Sequence, residues 1–215
     1  MNKLIKKIIN KKNKSKVICL TAYSKNIADE VDKYADITLV GDSLGSVLYN
    51  YKSTRSVSLT EMINHSKSVR LAVKKSLMVV DMPYNTYNSN NSALKNAKKI
   101  IKDTKCDAVK LEGGKKIIKQ IHFLVKNKIN VMGHLGLLPQ TAKGKFKSKG
   151  KTNKEKKQLL NDAILLEKSG VFAIVLECVK SSVAKQITQQ LKIPTIGIGS
   201  SVHCDGQVLV TDDLI

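Results

Sequence analysis

Asp107-Ala108-Val109-Lys110-Leu111-Glu112-Gly113-Gly114 is a short, mostly apolar run that ends in ionisable residues set against a glycine pair. Its length and aliphatic character suit a strand buried on both faces, as in a parallel sheet. Outward from it, the same form recurs at 17–23, 37–43, 77–83, 129–136, 172–178, 194–200 and 207–213. Between these runs lie stretches with helical spacing at 59–75, 91–103, 115–126, 152–168 and 181–191. The first of them opens on Ser58 or Thr60 as a cap, with Glu61 as a first-turn acid. The link 201–206 is too short for a full helix.

Eight such units predict an α/β protein, a (β/α)8 TIM barrel, in one domain over 1–215. An open doubly wound sheet would carry a glycine-rich turn after its first strand, where this chain reads Tyr23-Ser24-Lys25-Asn26. The chain stops just after the eighth run, so the expected barrel is C-terminally short and lacks its last helix. The lysine-rich segment 144–157 reads as a loop over one barrel mouth.

The net charge is +21, yet of 38 basic residues only Arg55 and Arg70 are arginines. Recognition of phosphates and bases favours the planar arginine fork over the lysine point charge. The lysines are also spread along the whole chain, so the charge argues for general stickiness and against a dedicated nucleic-acid role. No apolar run approaches the roughly 20 residues that span a bilayer. Residues 1–16 lack the apolar core of a secretion signal, and a soluble, cytoplasmic protein is expected. Cys19, Cys106, Cys178 and Cys204 are widely separated and read as reduced thiols.

The polar residues repeat one position. The second run ends in Gly41-Asp42-Ser43, the third in Asp81-Met82-Pro83, and the fourth in Lys110-Leu111-Glu112. The fifth ends in Gly133-His134-Leu135-Gly136 and the sixth in Leu176-Glu177-Cys178. In a barrel these ends share the face where catalysis sits. Asp42, Asp81 and Glu112 would gather three carboxylates, which oppose one another's ionisation unless a cation intervenes. Oxygen donors without a thiolate cluster favour a hard ion, magnesium, which keeps positions open for a 2-oxo acid. Lys110 and Ser43 would then meet the substrate carboxylate. Glu177, at an apolar strand end, is costly to bury as a charge and reads as a general base with a raised pKa. Each has a plainer reading: Asp42 and Asp81 as turn residues, Glu112 as a helix cap, Lys110 as a snorkelling side chain. His134 reads as a core histidine, and His65, His122 and His203 receive no role.

Taken in order, these segments resemble the ketopantoate hydroxymethyltransferase family. The resemblance rests on Ala22-Tyr23, on Val40 to Gly45, on Asp81-Met82-Pro83 and on Val109 to Gly114. It continues through Gly133 to Gln140, Leu176 to Val179, Ile193 to Gly199 and Asp205 to Val210. It implies a barrel of the phosphoenolpyruvate/pyruvate type. It also implies transfer of a one-carbon unit from 5,10-methylenetetrahydrofolate to 3-methyl-2-oxobutanoate, with Mg2+ as cofactor. The family's metal positions fall on Asp42, Asp81 and Glu112, its substrate positions on Asp42, Ser43, Asp81 and Lys110, and its proton acceptor on Glu177. A large ring-like homo-oligomer, commonly a decamer, follows from the same resemblance. The chain departs from the family at Ser24, Asn50-Tyr51-Lys52, the loop 144–150, and Ser200-Ser201. Two other readings use the same residues: another Mg-dependent 2-oxo-acid aldolase or lyase of this barrel group, and a truncated, non-catalytic remnant. Folate-dependent turnover separates the first, and stabilisation by magnesium with the oxo acid separates the second.

Overall fold

A computed structural model of the protein describes residues 2–142 and 147–215. Eight parallel strands close into a barrel in chain order. They are β1 (Val17–Thr21), β2 (Ile37–Val40), β3 (Leu77–Asp81), β4 (Ala108–Glu112), β5 (Val131–Gly136), β6 (Ala173–Glu177), β7 (Thr195–Ile198) and β8 (Gly206–Leu209). The helices are α1 (Lys3–Asn10), α2 (Lys25–Tyr34), α3 (Leu44–Val47), α4 (Leu59–Ala72), α5 (Asn90–Thr104), α6 (Ile118–Lys126), α7 (Asn153–Lys168) and α8 (Ser181–Gln190). As expected, no helix joins β7 to β8. β8 is followed by a 3-10 turn at Thr211–Asp213. On β1 and β8, Ile18 and Leu209 stand about half exposed.

Side chains alternate across each strand, and this period of two builds two cores. Cys19, Ile37, Leu77, Ala108, Met132, Ala173, Ile196 and Val208 fill the barrel lumen. Their neighbours, among them Val40, Val80, Val109, Leu111, Val131 and Leu176, pack outward against the helices. The lumen is therefore packed at its lower levels, and a cavity opens at the strands' C-terminal ends.

Helix α1 belongs to the lumen core through Ile5 and Ile8. Asn2 caps it by accepting from the Leu4 amide and also donates to Asp107 at 2.7 Å, tying the helix to the start of β4. Lys12, just beyond it, pairs with buried Asp205 at 2.8 Å. Helix α2 turns Ala28, Val31 and Asp32 inward. Helices α4, α5 and α7 each open with a reciprocal capping box, from Ser58, Ser89 and Thr152.

The loop expected over 144–157 needs correction where it can be seen. Residues 143–146 lie outside the described segments, whereas α7 is already formed from Asn153, and Lys149 bridges to Val179 beside β6. The capping box at Thr152 and Glu155 halts the loop there.

Candidate active site

The barrel's C-terminal mouth holds a cavity of about 340 Å3 walled by Asp42, Ser43, Asp81, Lys110, Glu112, His134 and Glu177. Strand register explains why they meet. Asp81 is paired with Lys110, Glu112 with His134, and Gly136 with Glu177. Lys110 and Glu112 are two residues apart on β4, so both face the lumen, in successive layers on the mouth side of Ala108. Asp42 stands in the turn after β2, where its amide donates to Asp81 Oδ2 at 3.2 Å. Ser43 shares a hydrogen bond of 2.7 Å with the Tyr23 hydroxyl.

Every residue singled out for the site thus lines one cavity. The turn-residue, cap and snorkelling readings leave the burial unexplained: Asp42, Asp81, Lys110 and Glu112 are each no more than 5% exposed. Lys110 Nζ lies 3.0 Å from Asp81 Oδ1. The amide of Gln140 donates to Glu112 Oε2 at 3.0 Å, and its side-chain Nε2 donates to Asp42 Oδ2 at 2.8 Å.

Burial pushes Asp42 up to about 8, with the charges of Asp81 and Glu112 adding to the effect and Lys110 and Gln140 opposing it. Asp81 is likewise raised by burial, against the pull of Lys110. Burial disfavours the Lys110 ammonium, but the acids Asp81, Glu112 and Asp42 outweigh it and hold the lysine above its ordinary value. Glu112 is lowered: burial works to raise it, while His134, Lys110 and the Gln140 amide together prevail. Lys110 and His134 thus face three buried carboxylates, two of which, Asp42 and Asp81, are held back from ionising.

The raised pair bears on a divalent ion. The donors are hard oxygens, and burial, with neighbouring like charge, holds Asp42 and Asp81 back from the charged form that a cation would favour. Among the described residues no three His, Cys, Asp or Glu side chains stand in ready metal-holding range of one another. The carboxylates are gathered at one mouth but not closed on one point. The chemistry of the donor set, oxygen without thiolate, is of the kind that suits a hard cation.

Two residues gain importance that the sequence did not give them. His134, read as a core histidine, stands at the centre of the site: Nδ1 is 3.5 Å from Glu112 Oε1 and 3.4 Å from Lys110 Nζ, and Nε2 is 3.2 Å from Glu177 Oε2. Burial and Lys110 act to lower its pKa, yet Glu112 and Glu177 carry it up to about 9. Its place at a strand end was the available signal. Gln140 lies in the loop after β5, at 1% exposure, and carried no signal beyond belonging to the family-like segment.

Glu177 does not stand in the purely apolar surroundings expected for it. Its side chain is 18% exposed and faces the His134 imidazole. The backbone beside it is tight: Gly136 has a φ of +100°, and a Cβ there would lie 2.1 Å from the Glu177 carbonyl oxygen. Cys178, next in the chain, takes a φ of 50°, a conformation that non-glycine residues adopt rarely and that concentrates at functional sites. His65 also has partners, its Nδ1 lying 2.7 Å from the Tyr23 carbonyl oxygen.

No helix among the described residues is long and apolar enough to cross a membrane. By fold, the chain is similar to phosphonopyruvate hydrolase (TM-score 0.73, 9% identity, covering 98% of this chain and 80% of the other). It is also similar to 2,3-dimethylmalate lyase, a PEP mutase/isocitrate lyase superfamily member (TM-score 0.71, 12% identity, covering 100% and 80%). At these identities the likeness speaks for the barrel alone. In sequence, the chain is 67% identical over 215 residues to the 3-methyl-2-oxobutanoate hydroxymethyltransferase of Pelagibacter ubique (strain HTCC1062), covering 100% of this chain and 83% of that protein. It is 47% identical over 207 residues to the enzyme of the same name from Anaplasma marginale (strain St. Maries), covering 95% and 75%. The model of the family described as ketopantoate hydroxymethyltransferase matches residues 2–215, and the chain belongs to that family.

Proposed function

We propose that the protein transfers a hydroxymethyl group from 5,10-methylenetetrahydrofolate to 3-methyl-2-oxobutanoate, giving 2-dehydropantoate for pantothenate biosynthesis. The observation that supports this most is the single cavity in which Asp42, Asp81 and Glu112 surround Lys110, with Glu177 on its wall. The names of the 67% and 47% identical relatives support the substrate.

Asp42, Asp81 and Glu112 would hold a magnesium ion, which when bound draws charge from a chelating 2-oxo carboxylate and makes its C3 hydrogen more acidic. The Lys110 ammonium and the Ser43 hydroxyl bind and orient the substrate carboxylate, and the buried walls exclude bulk water. Glu177 takes the proton from C3. His134, its Nε2 3.2 Å away, faces that carboxylate. Both carbon–nitrogen bonds of the folate methylene then break, one as C3 bonds to that carbon and the other as a water oxygen does, and the proton from C3 and one from water end on the two folate nitrogens. Cytoplasmic location and assembly into a homo-oligomer, a decamer by family, belong to the same reading; light scattering on the purified chain measures the assembly.

The deciding experiment follows 2-dehydropantoate formation from both substrates, with and without Mg2+. Product that requires folate and falls away on chelation is the expected result. Turnover of the 2-oxo acid without folate would assign the chain to an aldolase or lyase instead.

A further inference from the structure

We infer that Gln140 is a positioning residue that sets the spacing of the acid cluster; this rests on the cation-binding reading of Asp42, Asp81 and Glu112 above. A glutamine amide has a donor end and an acceptor end, and here each end has one permitted direction. Nε2 faces two acceptors, Asp42 Oδ2 at 2.8 Å and the Met82 carbonyl oxygen at 3.0 Å, which use both of its hydrogens. Oε1 accepts from the Tyr87 hydroxyl. Turning the amide over would set its carbonyl against two acceptors at a residue only 1% exposed, leaving buried groups unpaired.

The backbone of the same residue supplies a second hold, its N–H donating to Glu112 Oε2 at 3.0 Å. One loop residue thus fixes an oxygen of Asp42, from the turn after β2, and an oxygen of Glu112, at the end of β4. Through Met82 it also grips the chain directly after Asp81, so all three acid-bearing strand ends are keyed to it. Tyr87, 8% exposed, in turn locks the amide. Outer partners of this kind govern how well ligand carboxylates converge on an ion.

The test uses the full chain and the metal alone. Mn2+ binding is titrated by electron paramagnetic resonance of the free ion, with Mg2+ as competitor, in wild type, Gln140→Met and Tyr87→Phe. Methionine keeps the length of the side chain and removes its hydrogen bonds. Phenylalanine removes only the group that locks the amide. The expected result is a weakening of about ten- to a hundredfold in Gln140→Met, with a smaller loss in Tyr87→Phe. A role confined to stability would lower the metal-free melting temperature and leave cation affinity unmoved, and that outcome overturns the proposal. Should Gln140→Met fail to fold, unchanged affinity in Tyr87→Phe overturns it equally. If wild type itself binds neither ion, the cation reading falls, and this inference with it; wild-type binding with unaltered variants removes the inference alone.

Discussion

Lys110 Nζ sits 3.0 Å from Asp81 Oδ1 across register-paired positions of β4 and β3, with both side chains almost wholly buried. A pair removed from water this far is weak evidence of stability in itself, because desolvation offsets much of the attraction. Breaking it is a different matter, since the survivor remains buried without its partner. In Lys110→Met three carboxylates lose their one lysine. The expected cost in the metal-free protein is about 3–5 kcal/mol, read from denaturant unfolding. Added Mg2+ should restore part of it by supplying the missing charge. A variant as stable as wild type without metal would show that the acids are already protonated and need no cation.

Glu177→Gln keeps the shape of the side chain and removes its basicity. Binding of 3-methyl-2-oxobutanoate, followed by calorimetry with Mg2+ present, should be little changed. Exchange of the C3 hydrogen with solvent deuterium should fall by about 10²–10⁴-fold, and overall turnover with it. Undiminished exchange would take proton abstraction away from Glu177 and leave His134, its neighbour in the site, as the group to examine.

The contrast between Glu177 and His134 shows what a sequence can disclose. Both close a strand run, but a glutamate among aliphatic residues is conspicuous, whereas a histidine there has an unremarkable reading. What distinguishes His134 is the register that sets β5 beside β4 and β6, placing the ring between two acids. Such lateral pairing is not written in either strand. The eight strands themselves were legible because burial on both faces demands continuous apolar runs. The apolar runs extend past the strands, as 17–23 does beyond Val17–Thr21, because buried residues, here Ala22 and Tyr23, continue after the last paired position. Helix α1 escaped notice because its two buried isoleucines gain meaning only from the barrel floor they meet. Gln140 escaped because a loop glutamine has no periodicity to betray it.

Asp32 on α2 offers a pH test remote from the site. Its carboxylate accepts from the Lys74, Lys75 and Ser76 amides and from the Ser76 hydroxyl, at 2.6–3.1 Å. Burial works to raise its pKa, but those donors prevail and hold it below the ordinary carboxylate value. A depressed folded-state pKa gives stability that is complete above the unfolded value of about 3.9 and is lost as pH falls through the folded one. Asp32→Asn, which sets an amide among donors, should cost about 1–3 kcal/mol at pH 7. The gap between variant and wild type should narrow as pH falls from 7 to 3. A gap of constant size over that range would mean the charge contributes nothing.

The lumen floor makes a prediction of its own. Ile8 is 1% exposed and packs with the lowest apolar layer of the strands, while Lys6 on the same helix points to solvent. Ile8→Ala should therefore open a cavity in a confined space and cost about 2–5 kcal/mol. Lys6→Ala should stay within about 0.5 kcal/mol of wild type. Denaturant midpoints measured side by side give both values. Because apolar layers separate this floor from the acids above, the surviving folded fraction of Ile8→Ala should bind divalent ions as wild type does. Equal midpoints for the two variants would mean that α1 only rests against the barrel, and that the strands close their lower end without it.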